Sequence, residues 1–131
     1  MLWKRLVGPR VLGVSGLPAK SSTRAYGFCA PSGASATLVL VNLASAPACV
    51  GLPDGFAAPG APLTQFSLTP GAGGVTSATT LLNGAPLALD AAGRLPPMGG
   101  KSVPQAGGVT LPPLSVTLLA APLAGGVAAC S

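Results

Sequence analysis

The chain of 131 residues is long enough for one domain with a modest core. Hydrophobic residues make up 49% of it and charged residues only 7%, which argues against a solvated, disordered chain because such chains combine low hydrophobicity with high charge. Order is expected in the strands and disorder in some of the connections. The net charge is +5, and the chain has two Asp, no Glu and no His. The absence of His excludes a Ser-His-Asp or Cys-His catalytic site, since both use an imidazole as general base.

The chain begins with a short amphipathic segment that predicts a helix. Leu2, Leu6 and Val7 share one helical face, with Trp3 at its edge, and a Gly-Pro pair follows directly and ends the helix. We expect Trp3 and Leu6 to pack against a larger body. A transit peptide or a weak signal peptide is the alternative, because residues 1–24 are basic and contain no acid.

Alternating and β-branched runs predict short strands over the rest of the chain. The predicted strands are residues 24–29, 35–43, 48–52, 63–68, 79–82, 85–89 and 114–120. Loops rich in Gly and Pro separate them, and the loop at residues 98–108 is expected to be mobile. Seven short strands without a second helix predict an all-β fold, an antiparallel β-sandwich. No stretch reaches about 18 apolar residues without a Gly or Pro break, so no transmembrane helix is predicted.

The central hairpin is predicted at Asn83-Gly84. Both residues accept a positive φ at low cost, and apolar runs flank the pair on both sides. Asn83 is therefore expected to form a turn and to have no catalytic role.

The two carboxylates are also expected to serve turns. Asp54 lies in Pro-Asp-Gly and Asp90 in Asp-Ala-Ala-Gly, contexts in which an Asp side chain bonds nearby backbone. A glycosidase needs two carboxylates across the sugar bond, and these two are not expected to form such a pair. The residues themselves therefore predict no catalytic, cofactor-binding or metal-binding site.

Five of the seven basic residues fall within one short stretch: Lys4, Arg5, Arg10, Lys20 and Arg24. A nucleic-acid site usually has denser Lys and Arg with stacking aromatic residues, so nucleic acid is not an expected partner.

Three cysteines, Cys29, Cys49 and Cys130, fit one disulfide with one spare thiol. A bond between Cys29, at the end of a strand, and Cys130, one residue from the C-terminus, would close a loop of about 100 residues and contribute about 4–5 kcal/mol. Two unrelated buried thiols are the alternative. Cys49 is expected to be an unpaired, small apolar residue.

LWKRLVG at residues 2–8, VL at residues 11–12 and RAYGFC at residues 24–29 open an ordered set of motifs. The set resembles heparanase-like glycoside hydrolases (family 79), most closely the plant-type members, and its first two motifs resemble the end of that family's catalytic barrel. RAYGFC at residues 24–29 and ATLVLVNL at residues 36–43 resemble the opening of its C-terminal β-sandwich. The motifs that follow in the family's order are FSLTP at residues 66–70, LLNG at 81–84, LAL at 87–89, LPP at 95–97, LPPLS at 111–115 and AC at 129–130. No single motif is specific to the family, whereas the ordered set is. Residues 44–63 depart in detail from the family's pattern.

The resemblance implies that residues 1–23 are a remnant of the last barrel helix with its connector, and that residues 24–131 are the C-terminal β-sandwich domain. It also implies a disulfide between Cys29 and Cys130, at the positions of the family's paired cysteines. The family's enzymes are retaining endo-β-glucuronidases that cleave heparan-sulfate-like or other glucuronide-bearing glycans, with two catalytic Glu residues on a (β/α)8 barrel. Because this chain has no Glu, no catalytic residue is carried over. We expect a C-terminal portion of a longer enzyme, inactive alone, with the barrel as its partner.

The resemblance also implies a location. The protein is expected to be secreted or extracellular, or lysosomal or vacuolar, and membrane-associated, although the chain shows no convincing signal peptide of its own. A disulfide would agree with an oxidising compartment. The basic residues would attract an anionic polysaccharide through their long-range field, and plain solvation of these charges is the alternative. The rival function is a non-catalytic secreted or cell-surface module that binds a glycan or a protein.

Overall fold

The computed structural model of the chain describes residues 2–18, 20–53, 55–123 and 130. This part contains one short α-helix, α1 (Leu2–Leu6), and one 3-10 helix (Gly74–Thr76). Its strands are β1 (Val11–Leu12), β2 (Thr23–Cys29), β3 (Ser35–Asn42), β4 (Ala48–Val50), β5 (Leu63–Pro70), β6 (Thr80–Leu82), β7 (Ala85–Pro86), β8 (Lys101–Val103), β9 (Val109–Leu111) and β10 (Ser115–Pro122).

The strands form one large and one small antiparallel sheet. The large sheet has the order β1-β2-β3-β10-β5-β6-β7, and β8 pairs with the first half of β5. The central strand β10 is in register with β3 over its whole length and with β5 on its other side. The small sheet consists of β4 and β9. The predicted all-β, antiparallel, sandwich-like fold is confirmed.

The small sheet packs on one face of the large sheet, which we call the inner face. Leu40, Leu63 and Leu119 of the large sheet pack with Val109 and Leu111 of β9, and none of these side chains is more than 3% exposed. Full burial of such a side chain contributes about 1.5–3 kcal/mol. An aliphatic cluster therefore forms the core of a chain that has few aromatic residues.

Helix α1 packs on the opposite face of the large sheet, which we call the outer face. Leu2 is 7% exposed and packs in a cluster with Val39 and Leu118. Trp3 lies at the edge of the helix with its ring edge-on to Phe28, 5.5 Å between the ring centroids. The predicted apolar face of the helix is confirmed, with its packing surface supplied by the sheet.

Two hydrogen bonds connect the start of the chain to the sheet. Thr37 Oγ1 donates to the carbonyl oxygen of Leu6 at 2.7 Å, and the amide of Gly8 donates to the carbonyl oxygen of Cys29 at 2.8 Å. A Cβ atom at Gly8 would lie 2.6 Å from that same carbonyl oxygen, so only glycine allows this close approach.

Several elements differ from the sequence-based prediction. Strand β8 lies inside the loop at residues 98–108, where a mobile segment was expected, because residues Lys101–Val103 pair with the edge of β5. Strands β1 and β9 and the 3-10 helix were not predicted, since two or three residues carry no periodic pattern. Strands β5 and β10 extend to Pro70 and Pro122, and a proline is tolerated at such ends because it costs no central ladder bond.

Candidate interaction face

Cys29 and Cys130 form a disulfide, with their Cα atoms 5.5 Å apart. This is the pairing expected from the sequence, and it closes a loop across 101 residues. Both residues are buried, Cys29 at the end of β2. The bond therefore ties residue 130 to the end of β2.

Cys49 is a free thiol on β4. It is unpaired, as expected, but its side chain is exposed rather than packed as a small apolar group. Its Sγ atom lies 4.0 Å from the carbonyl oxygen of Gly107. Exposure depends on which face of the small sheet is covered, and a three-residue strand does not reveal that from sequence.

Asp90 stabilises a turn, as predicted. Its Oδ1 accepts hydrogen bonds from the amides of Ala92 and Arg94 at 2.9 Å, and its Oδ2 accepts one from Arg94 Nε at 2.9 Å. The backbone hydrogen bond from Arg94 and then its side-chain bond hold the pKa of Asp90 below its usual value. The predicted turn at Asp54 lies outside the described residues.

Arginine side chains find partners within the protein, as Arg5, Arg24 and Arg94 show. Arg5 donates to the carbonyl oxygen of Met98 at 2.9 Å and lies 5.2 Å from the centre of the Phe66 ring. Arg24 donates to the carbonyl oxygens of Ser21 and Thr23, and Arg94 pairs with Asp90. In the described part of the chain, the ammonium groups without an ion pair or hydrogen bond are those of Lys4, Lys20 and Lys101. Within the basic stretch, Arg5 and Arg24 thus make structural contacts with the protein itself.

A row of side chains crosses the outer face beside the cluster around Leu2, and one of them, Leu68, packs against that cluster. Val116 is in register with Val41 on one side and with Leu68 on the other, so the three lie side by side across β3, β10 and β5. Tyr26 lies on the same face of β2, 52% exposed, and Arg24 stands opposite Val41 at the end of the row. We call Tyr26, Val41, Val116 and Leu68 the open row.

The chemistry of the open row is that of a contact surface. Val116 is 38% exposed although it occupies the central strand of the large sheet, where a side chain on a covered face would be buried. Leu118 lies two residues along β10 from Val116, and Val39 lies opposite Leu118 on β3. Both are on the same outer face, and they are only 3% and 5% exposed. On the other side of Val116, Leu68 packs against the cluster around Leu2 and Leu82 belongs to that cluster. Tyr26 and Val116 are exposed, whereas Val41 and Leu68 are partly buried. Exposed apolar side chains on one sheet face favour an interface with another molecule.

The described residues include no group of three or more His, Cys, Asp or Glu side chains placed to hold a metal ion. Within the same ranges, no helix has both the length and the apolar character needed to span a membrane.

Comparison of the chain with protein-family models and with curated protein sequences finds no match.

Proposed function

We propose that the chain is the non-catalytic C-terminal β-sandwich of a heparanase-like glycoside hydrolase, an endo-β-glucuronidase, and that its open row packs against the catalytic (β/α)8 barrel. The observation that carries the proposal is Val116, 38% exposed on the central strand of a sheet whose outer face also carries the packed helix α1. The residues of α1 are also those that resemble the end of the family's barrel. An interface continuous with α1 would cover the rest of the outer face.

This proposal assigns the chain no glycosidic chemistry of its own. It has no Glu, and Asp90 is engaged by Arg94 in a turn. Purified chain is therefore expected to show no turnover of heparan-sulfate-like or other glucuronide-bearing glycans. Turnover above that of a mock preparation would contradict the proposal.

A binding assay tests the interface directly. The chain is titrated with a separately expressed barrel of a plant-type heparanase-like enzyme, and the affinity is measured by calorimetry. Val116→Glu is expected to weaken binding by about tenfold or more, because docking would bury an unpaired carboxylate. Val75→Glu is the matched control, since Val75 is 75% exposed on the 3-10 helix, outside the open row.

A second variant tests the same face in case Val116→Glu does not fold. Tyr26→Glu changes a side chain that is already half-exposed on β2, so it tests the same face with less effect on folding. Wild-type affinity in a folded Val116→Glu chain and in Tyr26→Glu would overturn the proposed interface. A wild-type chain that fails to bind the barrel would overturn it as well.

The proposed enzyme would work in an oxidising compartment, outside the cell or in a lysosome or vacuole, associated with a membrane. The buried disulfide between Cys29 and Cys130 supports an oxidising environment. Mass spectrometry of the protein from its native source, alkylated before reduction, would find both cysteines unalkylated. Alkylation of both cysteines would contradict this location.

The unpaired ammonium groups support an alternative function, a non-catalytic secreted or cell-surface module that binds an anionic glycan. Lys4 and Lys20 lie in the basic stretch and have no acidic partner among the described residues. On a heparin column, Lys4→Gln with Lys20→Gln would elute at lower salt than wild type, and Lys101→Gln would serve as the single-charge control. Equal elution of the double variant and the control would contradict the alternative.

A further inference from the structure

The turn between β6 and β7 carries a dipeptide with its own chemistry. It consists of Asn83 and Gly84, whose φ angles are 50° and 87°. An asparagine followed by glycine is prone to deamidation, because glycine has no Cβ to obstruct attack of its amide nitrogen on the preceding side chain. The other asparagine, Asn42, is followed by Leu43, which carries that obstruction.

The native structure holds the Asn83 carboxamide away from this reaction. Asn83 Oδ1 accepts a hydrogen bond from the amide of Ser67 at 2.8 Å. Asn83 Nδ2 donates to the carbonyl oxygens of Gln65 and Gly99, both at 3.3 Å. The residue is exposed, yet three bonds bind its side chain to β5 and to the segment before β8. The carboxamide must leave these bonds before its carbon can meet the Gly84 nitrogen.

We propose that Asn83 is a deamidation site whose conversion requires opening of the β6–β7 hairpin. Hydroxide removes the amide proton of Gly84, and the nitrogen forms a bond to Asn83 Cγ. The bond from Cγ to Nδ2 breaks, and the side-chain nitrogen leaves as ammonia. Water then opens the cyclic imide at either carbonyl carbon, which produces aspartate or isoaspartate at position 83.

The conversion changes how the hairpin is held. A carboxylate oxygen replaces the amide donor and faces the carbonyl oxygens of Gln65 and Gly99, so two hydrogen bonds become repulsive contacts. Lys101 lines the same groove and would offset part of that repulsion. Each conversion is therefore irreversible, and it weakens the connection between the turn and β5.

The test compares folded with unfolded chain in mildly alkaline buffer. The full chain is incubated folded, and in parallel reduced and unfolded in guanidinium chloride, and fragment-ion mass spectrometry follows Asn83 and Asn42 separately. Asn83 is expected to convert about tenfold or more faster in the unfolded chain, because opening of the hairpin costs free energy in the folded one. Equal rates in the two states would overturn the proposal, and so would conversion of Asn42 as fast as Asn83 in unfolded chain.

A pair of variants tests the hairpin as the controlling element. Leu82→Ala removes a side chain that is 6% exposed on β6 and should accelerate conversion of Asn83 several-fold in folded protein. Leu89→Ala is the matched control, since Leu89 is 62% exposed beyond the hairpin. Both variants should match wild type when unfolded. A folded Leu82→Ala chain that converts at the wild-type rate would contradict control by the hairpin.

Discussion

Ser67 and Thr117 face each other across β5 and β10, with their hydroxyl oxygens 2.9 Å apart in the buried interior. Thr117 is fully buried, and Ser67 Oγ also accepts a hydrogen bond from Gln65 Nε2 at 2.8 Å. The pair satisfies two hydroxyl groups on the inner face, where Asn42 and Ser115 are also buried. Its contribution should depend on whether one or both hydroxyls are present, since an unpaired buried hydroxyl is costly.

A double-mutant cycle measures that dependence. Ser67→Ala alone should lower the free energy of unfolding by about 1–3 kcal/mol, because it leaves the Thr117 hydroxyl without its partner. Ser67→Ala with Thr117→Val should be less destabilising than the sum of the two single changes. Urea denaturation of the four proteins gives the coupling. Strict additivity would show that the two hydroxyls do not depend on each other.

The disulfide should stabilise the whole fold. Cys29→Ser with Cys130→Ser is expected to lower the free energy of unfolding by about 2–5 kcal/mol, because the closed loop is long and restricts the unfolded chain. Cys49→Ser, a change at an exposed free thiol, should leave stability unchanged. Denaturation midpoints with and without reductant provide the measurement. A double variant as stable as wild type would show that the bond does not contribute.

Two neighbouring glycines should respond differently to alanine. A Cβ atom at Gly100 would overlap the Thr64 methyl group and lie 2.7 Å from Phe66 Cζ, whereas one at Gly99 would meet nothing within 4 Å. Gly100→Ala should therefore destabilise the chain by about 1–3 kcal/mol. Gly99→Ala is the control and should have little effect. Thermal unfolding compares the two, and equal melting temperatures would contradict the close packing of β8 against β5.

The Asp90 turn should weaken in acid. Because the pKa of Asp90 is lowered in the folded chain, chiefly by its bonds to Arg94, the carboxylate contributes stability above the unfolded pKa. That contribution is lost as pH falls through the folded pKa. Arg94→Ala removes the side-chain bond but keeps the backbone N–H that bonds Asp90 Oδ1, so it should move the pKa of Asp90 only part of the way back toward its usual value. NMR titration of the carboxyl carbon measures the shift, and an unchanged pKa in the variant would show that the Arg94 side chain does not lower it.

Local features of the chain were predictable from sequence to different extents. The predicted turns at Asn83 and Asp90 are confirmed, because positive φ and Asx bonding are decided within a few residues. The long strands β3, β5 and β10 were also predicted, since each carries enough β-branched and apolar residues. The exposure of Val116 was not predicted. An alternating pattern identifies the two faces of a strand, but it does not show which part of a face another element covers.

The sequence by itself determined the all-β class, the hairpin turn and the apolar face of the first helix, all of which follow from periodicity and local backbone preference. Tertiary structure alone decided the pairing of β8 with β5, the exposure of Cys49 and the bonds that hold Asn83 to Ser67. It also closed the disulfide between Cys29 and Cys130, which the residues left open. The pairings and bonds among these features join residues far apart in the chain. They form only when other elements pack on the two faces of the large sheet.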